Sequence, residues 1–146
     1  MTKAGELLAA FENALRALDT SIAEAASRWQ APLGVGEWPP RTVAEHIVIA
    51  LGVYTEFMAD ALGEPYHDWA SQDFTFTSAD IARSALKDIS TWGRAFLSGI
   101  DDNALHTPVP EIAGSTRLPP TIEGVLTMAT SHLREHARQI GTVPSR

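Results

Sequence analysis

A chain of 146 residues with a net charge of −7 and no cysteine excludes several functions before any motif is read. Non-specific nucleic-acid binding needs an excess of Lys and Arg to displace counterions. Disulfides, thiolate metal sites and cysteine nucleophiles all need a residue that is missing. The length suits a single domain, 1–146, with a core of its own. No basic-then-apolar leader opens the chain and no apolar run approaches about eighteen residues, so no membrane contact is expected and the cytoplasm is the default location.

The first helix is expected from Lys3 to Trp29, on Leu7, Leu8, Phe11, Leu15, Leu18 and Ile22 at helical spacing. A short Pro/Gly link, Ala31 to Trp38, follows. The second helix should begin after Pro39 and Pro40, whose fixed φ suits a first turn, and run to about Leu62 with Gly63 as its stop. Its inward stripe reads Val43, His46, Ala50, Val53 and Phe57. Residues 64–76 carry aromatics without a period. Thr77, Ser78, Ala79 and Asp80 form a capping signal for the third helix, whose stripe is Ile81, Ala85, Ile89, Trp92 and Phe96. Residues 99–120 are the longest connection, and two short runs around Ala113, Gly114 and Ser115 are expected to pair as a small hairpin. The fourth helix should start near Thr121, after Pro119 and Pro120, and end at Gly141 with Pro144 just beyond. Four amphipathic helices make an all-α four-helix bundle.

Chemistry concentrates on the fourth helix. His132 and His136 stand four residues apart, about one turn, and share a face with Val125, Met128, Ala129 and Ile140. Imidazoles on an apolar stripe are costly unless satisfied, and a divalent cation would satisfy both. His46, on the stripe of the second helix, offers a third nitrogen. Three nitrogens leave one coordination position open, as a catalytic metal requires.

The three histidines can meet only in one topology. His46 lies about 7 Å inside the start of the second helix, whereas His136 lies about 7 Å from the end of the fourth. Helices two and four must then be antiparallel, in the order up-down-down-up. Residues 64–76 must cross the length of the bundle, which thirteen or so residues can do when extended. A di-iron reading fails because Val43, Ala129 and Leu133 stand where its glutamates should. An inverted zinc-protease reading matches His132, Glu135 and His136 formally but is disfavoured, because its third ligand should lie far downstream and only ten residues follow His136, none of them acidic.

Two motifs resemble the DinB/YfiT-like superfamily of metal-binding four-helix bundles. One runs from Trp38 to His46, with the tryptophan eight positions before the histidine and Ile47 after it. The other is His132, His136, Gln139 and Ile140. Their order and the helical layout extend the resemblance over essentially the whole chain. Pro39 and Pro40 depart from it, since a serine or threonine usually follows that tryptophan. The resemblance implies the up-down-down-up fold and a divalent metal, zinc or nickel, on His46, His132 and His136. It also implies S-transferase or isomerase chemistry with a low-molecular-weight thiol such as mycothiol, bacillithiol or glutathione, in a homodimer. A non-catalytic metal-binding bundle, acting in stress response through ligand binding or dimerisation, is the alternative.

Gln139, about 20° round the helix from His132, and Glu135 are the residues expected to support the ligands from outside. Trp38 is expected to plug the start of the second helix, and His67 and His106 to be solvated loop histidines. Tyr54, Tyr66 and Trp69 are candidates for a pocket wall. Arg41 is a candidate contact for an anionic substrate, with a surface role favoured.

Overall fold

The computed structural model describes residues 2–65, 67–69, 71–109 and 120–142. Four helices appear where the periodicity placed them: α1 (Lys3–Glu24), α2 (Pro40–Ala61), α3 (Ala79–Leu97) and α4 (Ile122–Gly141). Three begin on a hydroxyl that accepts from a backbone N–H of the first turn: Thr2 from Gly5, Ser78 from Ile81 and Thr121 from Gly124. Helix α2 instead has Pro40 at its start and no side-chain cap. Gly63 ends α2 as expected: its φ of +73° lets its N–H reach Asp60 and that of Glu64 reach Ala59. Among the described residues no strand forms, and an isolated antiparallel bridge joins Pro108 to Thr121. The hairpin expected around Ala113 lies outside the described residues.

Helix α1 stops earlier than its pattern suggested. At Ala25 the chain tightens into a 3₁₀ turn, Ala26–Arg28. The break lowers Trp29 into the core, where its Nε1–H donates to the Phe76 carbonyl at 2.8 Å. It also brings the Trp29 carbonyl to the Arg41 N–H at 2.9 Å, which supplies an acceptor to the uncapped first turn of α2.

Specific contacts set the topology. Arg28, just beyond α1, donates to the Ile140 carbonyl near the end of α4, and Lys3 pairs with Glu123 at the other end, so α1 and α4 are parallel. Asp19 meets Arg83 and the Ala4 N–H donates to Asp102, so α1 and α3 are antiparallel. Gly52 faces Ile89 and Gly93 faces Thr55, so α2 and α3 are parallel. Tyr54 meets His132 while His46 meets His136, so α2 and α4 are antiparallel. The order is up-down-down-up.

Parallel α2 and α3 require a crossover, and the segment after α2 is pinned at several points. The buried Glu56 carboxylate accepts from the Trp69 N–H, and the Trp69 side chain lies over Gly52. Further on, the Phe76 N–H donates to Glu45 at 2.8 Å while its carbonyl takes the Trp29 indole, so both backbone groups of this buried residue are satisfied by side chains.

The stripes on α2 and α3 are rotated from their expected positions. On α2 the core row is Val43, Ala44, Ile47, Val48, Leu51, Met58 and Ala59, all essentially inaccessible. Ala50, Val53 and Phe57 form its half-open flank and His46 is exposed. On α3, Ala82, Leu86, Ile89 and Leu97 are buried, whereas Ile81 is 47% exposed. The reason is the uniform apolarity of α2: a helix with apolar side chains over so wide an arc has no single stripe to read. The same composition gives Pro40–Ala61 an eighteen-residue window of mean hydropathy 1.2, long and apolar enough to cross a membrane by length and composition alone. This corrects the expectation that no such run exists. Half of that window is buried inside the bundle, and core packing accounts for its character.

Candidate metal centre

The antiparallel seam of α2 and α4 brings His46, His132 and His136 together. One ring nitrogen from each lies within 4.8 Å of the other two, a grouping that could hold a metal ion. The ring centroids of His46 are 5.5 Å from His132 and 5.1 Å from His136. On α4 itself the Nε2 atoms of His132 and His136 approach to 2.9 Å. A tetrahedral zinc with Zn–N bonds of about 2.1 Å spaces its ligand nitrogens by about 3.4 Å, so the α4 pair, at hydrogen-bond distance, must open by about 0.5 Å to share one.

The burial expected for these rings is not what holds them. His132 and His136 are half-buried and His46 is exposed, because the seam is the open flank of α2 rather than its core row. What marks the site is therefore the convergence of three ring nitrogens rather than the cost of burying them. Partial burial still pushes the His46 and His132 imidazoles below their ordinary value. Charge on His136 acts in the same direction on both, and Glu135 opposes it at His132. Both causes favour the neutral ring, the form that binds a cation.

Partners around the cluster orient two of the three rings. Gln139 Oε1 lies 2.7 Å from His136 Nδ1. A carbonyl oxygen can only accept, so Nδ1 carries the hydrogen and Nε2 presents a lone pair to the shared space. The Tyr54 hydroxyl lies 3.0 Å from His132 Nδ1. His46 makes no hydrogen bond among the described residues, and the Trp38 ring meets it edge-on with centroids 5.9 Å apart. The donor set fits a divalent ion: three imidazole nitrogens, no competing cation within the cluster, and an outer partner on two rings.

The sequence model of the DinB superfamily matches residues 6–140, which include all four helical cores and all three histidines. The chain belongs to the DinB superfamily. No curated protein and no solved structure matches it.

Within this DinB bundle the other candidates fall into place. Gln139 supports His136, its neighbour one turn back, rather than His132. Glu135 is exposed and reaches His132 through its charge alone. Trp38 is no plug: it is 50% exposed and packs edge-on against His46, while Trp29 fills the buried role. Arg41 is engaged by Glu45 at 3.2 Å and by Gln30. His67 is not a solvated loop residue, since its ring packs tilted against Trp69, with centroids 4.0 Å apart, and lies near Trp92. His106 is exposed. Trp69 lies in that aromatic cluster with His67 rather than in the group of His46, His132 and His136, and Tyr66 is outside the described residues. Tyr54 is the participant whose role sequence reasoning did not define. Its signal was its position eight residues after His46, two turns along the same face of α2.

Proposed function

We propose that His46, His132 and His136 hold one divalent cation, zinc or nickel, and that its open coordination position takes a low-molecular-weight thiol for S-transfer or isomerisation. The observation that carries this reading is the meeting of two Nε2 atoms at 2.9 Å, with Gln139 turning the His136 lone pair toward the shared space and His46 alongside. A divalent cation in that position would lower the pKa of a bound thiol so that thiolate forms near neutral pH. The chain has no cysteine, so the nucleophilic sulfur must arrive as a cofactor. In transfer, the thiol proton goes to solvent, a C–S bond forms, and the leaving group departs with its electron pair. In isomerisation the same sulfur adds and is later expelled unchanged. The neutral histidines leave the cation its full charge, which favours an anionic fourth ligand.

The test is thiol dependence. Metal-loaded and metal-stripped protein are assayed with mycothiol, bacillithiol and glutathione against a generic electrophile, and a cobalt-substituted sample is titrated with each thiol. Activity that needs both metal and one thiol, with a shift in the cobalt visible bands, is the expected result. A spectrum that no thiol perturbs would replace this reading with a non-catalytic metal-binding bundle.

A further inference from the structure

Tyr54, His132, His136 and Gln139 form one chain of short contacts: 3.0 Å from the Tyr54 hydroxyl to His132 Nδ1, 2.9 Å between the two Nε2 atoms, and 2.7 Å from His136 Nδ1 to Gln139 Oε1. Its two ends differ in kind. The Gln139 oxygen can only accept, which holds His136 in the Nδ1–H form. A phenol can either donate or accept, so Tyr54 places no such restriction on His132.

Two lone pairs cannot face each other at 2.9 Å without a positive centre between them, and only two species can serve. If a proton lies there, His132 carries it on Nε2 and donates to His136, and its bare Nδ1 accepts the Tyr54 O–H. If a cation lies there, both Nε2 lone pairs are used. His132 must then carry its hydrogen on Nδ1 and donate it to the Tyr54 oxygen. Every ring nitrogen of the pair has a partner in both states, and the hydrogen bond to Tyr54 reverses without either residue changing its partner. An asparagine or a carboxylate in place of Tyr54 would not serve in this way without rotating or changing its own charge.

We propose that Tyr54 is a positioning residue whose hydrogen bond to His132 reverses when the site takes up metal, so that binding converts His132 from its Nε2–H to its Nδ1–H tautomer without net release of a proton from the pair. The reversal frees the Tyr54 O–H. In the loaded protein this hydroxyl becomes a donor beside the ligands that was not available before. The inference rests on the metal-centre reading, and it adds a role for a residue outside the ligand set.

The experiment uses the full chain, wild type and Tyr54→Phe, labelled with ¹⁵N-histidine. NMR reads which nitrogen of each ring carries hydrogen before and after addition of Zn²⁺. A competing chromophoric chelator measures zinc affinity. The wild type should bind one zinc per chain, with His132 changing from Nε2–H to Nδ1–H while His136 stays Nδ1–H throughout. Tyr54→Phe should keep that stoichiometry and its metal-free melting temperature but bind zinc about ten- to hundredfold more weakly, the usual cost of losing an outer partner. An unchanged His132 tautomer on zinc addition overturns the proposal using the wild type alone, even if Tyr54→Phe does not fold. Wild-type affinity in Tyr54→Phe overturns it too, while leaving the metal centre intact. Failure of the wild type to bind zinc overturns both.

Discussion

Helix α2 has two seams, and they are built on opposite principles. Against α3 and the crossover that precedes it, α2 packs through absence: a Cβ on Gly52 would stand 2.8 Å from the Trp69 Cβ of the crossover, and one on Gly93 of α3 would stand 3.2 Å from Thr55. That seam is close, and its buried Thr55 hydroxyl donates within its own helix to the Leu51 and Gly52 carbonyls. Against α4, one register round the helix, α2 presents His46 and Tyr54 to His132 and His136, and the seam stays half-open. One helix thus spends one face on cohesion and another on polar groups that invite a ligand. Stability and binding should therefore be separable by mutation.

The largest effect expected is on the open seam. His136→Ala should reduce metal retained after purification by on the order of a hundredfold or more, since even outer partners cost ten- to hundredfold. Its metal-free melting temperature should stay near wild type because the ring is only half-buried. Full metal content measured by elemental analysis would remove His136 from the ligand set. On the closed seam, Gly52→Ala should cost about 1–3 kcal/mol, because a Trp69 atom next to the backbone cannot yield cheaply. Denaturant unfolding measures this, and metal stoichiometry should remain that of the wild type. If Gly52→Ala instead lost metal with stability unchanged, the two seams would not be independent.

Trp29→Phe should cost about 1–3 kcal/mol by leaving the buried Phe76 carbonyl without its donor. Gly63→Ala should cost about 1 kcal/mol, from a φ of +73° that a side chain disfavours, with no clash to confuse the result. The smallest effect concerns acid. His46 and His132 sit below the ordinary value of 6.5 in the folded chain, so the unfolded chain binds more protons as pH falls through and below that value. Metal-free stability should then decline with falling pH in that window, and metal affinity should hold to about pH 6.5 before protons compete. A stability that rose on acidification there would contradict the direction assigned to both rings.

Much of the fold could be read from the residues, and the reasons are local. Ser78, Thr121 and Gly63 act through their own neighbours, so helix starts and one stop followed from identity alone. The topology was also legible, because one geometric demand, that His46 meet His136, admitted a single helix order. The stripe on α2 was misread for the converse reason. With apolar residues over so broad an arc, several faces pass as inward, and the face carrying His46 proved to be the flank. The end of α1 was misread because Trp29 leaves the helix to meet Phe76 and Arg41, partners far along the chain.

The residues able to do chemistry were fixed by identity and position alone: a histidine pair four residues apart, a third histidine on another helix, no cysteine, and a glutamine one turn from His136. Periodicity and caps are short-range properties, so they also determined four helices and nearly all their ends. Only the tertiary structure decided how buried the histidines are and which partner each has. It placed Tyr54 on His132, Gln139 on His136 and Trp38 beside an exposed His46. Those outcomes depend on the rotation of α2 against α4. That angle is set by packing along both seams at once, and no local stretch of sequence encodes it.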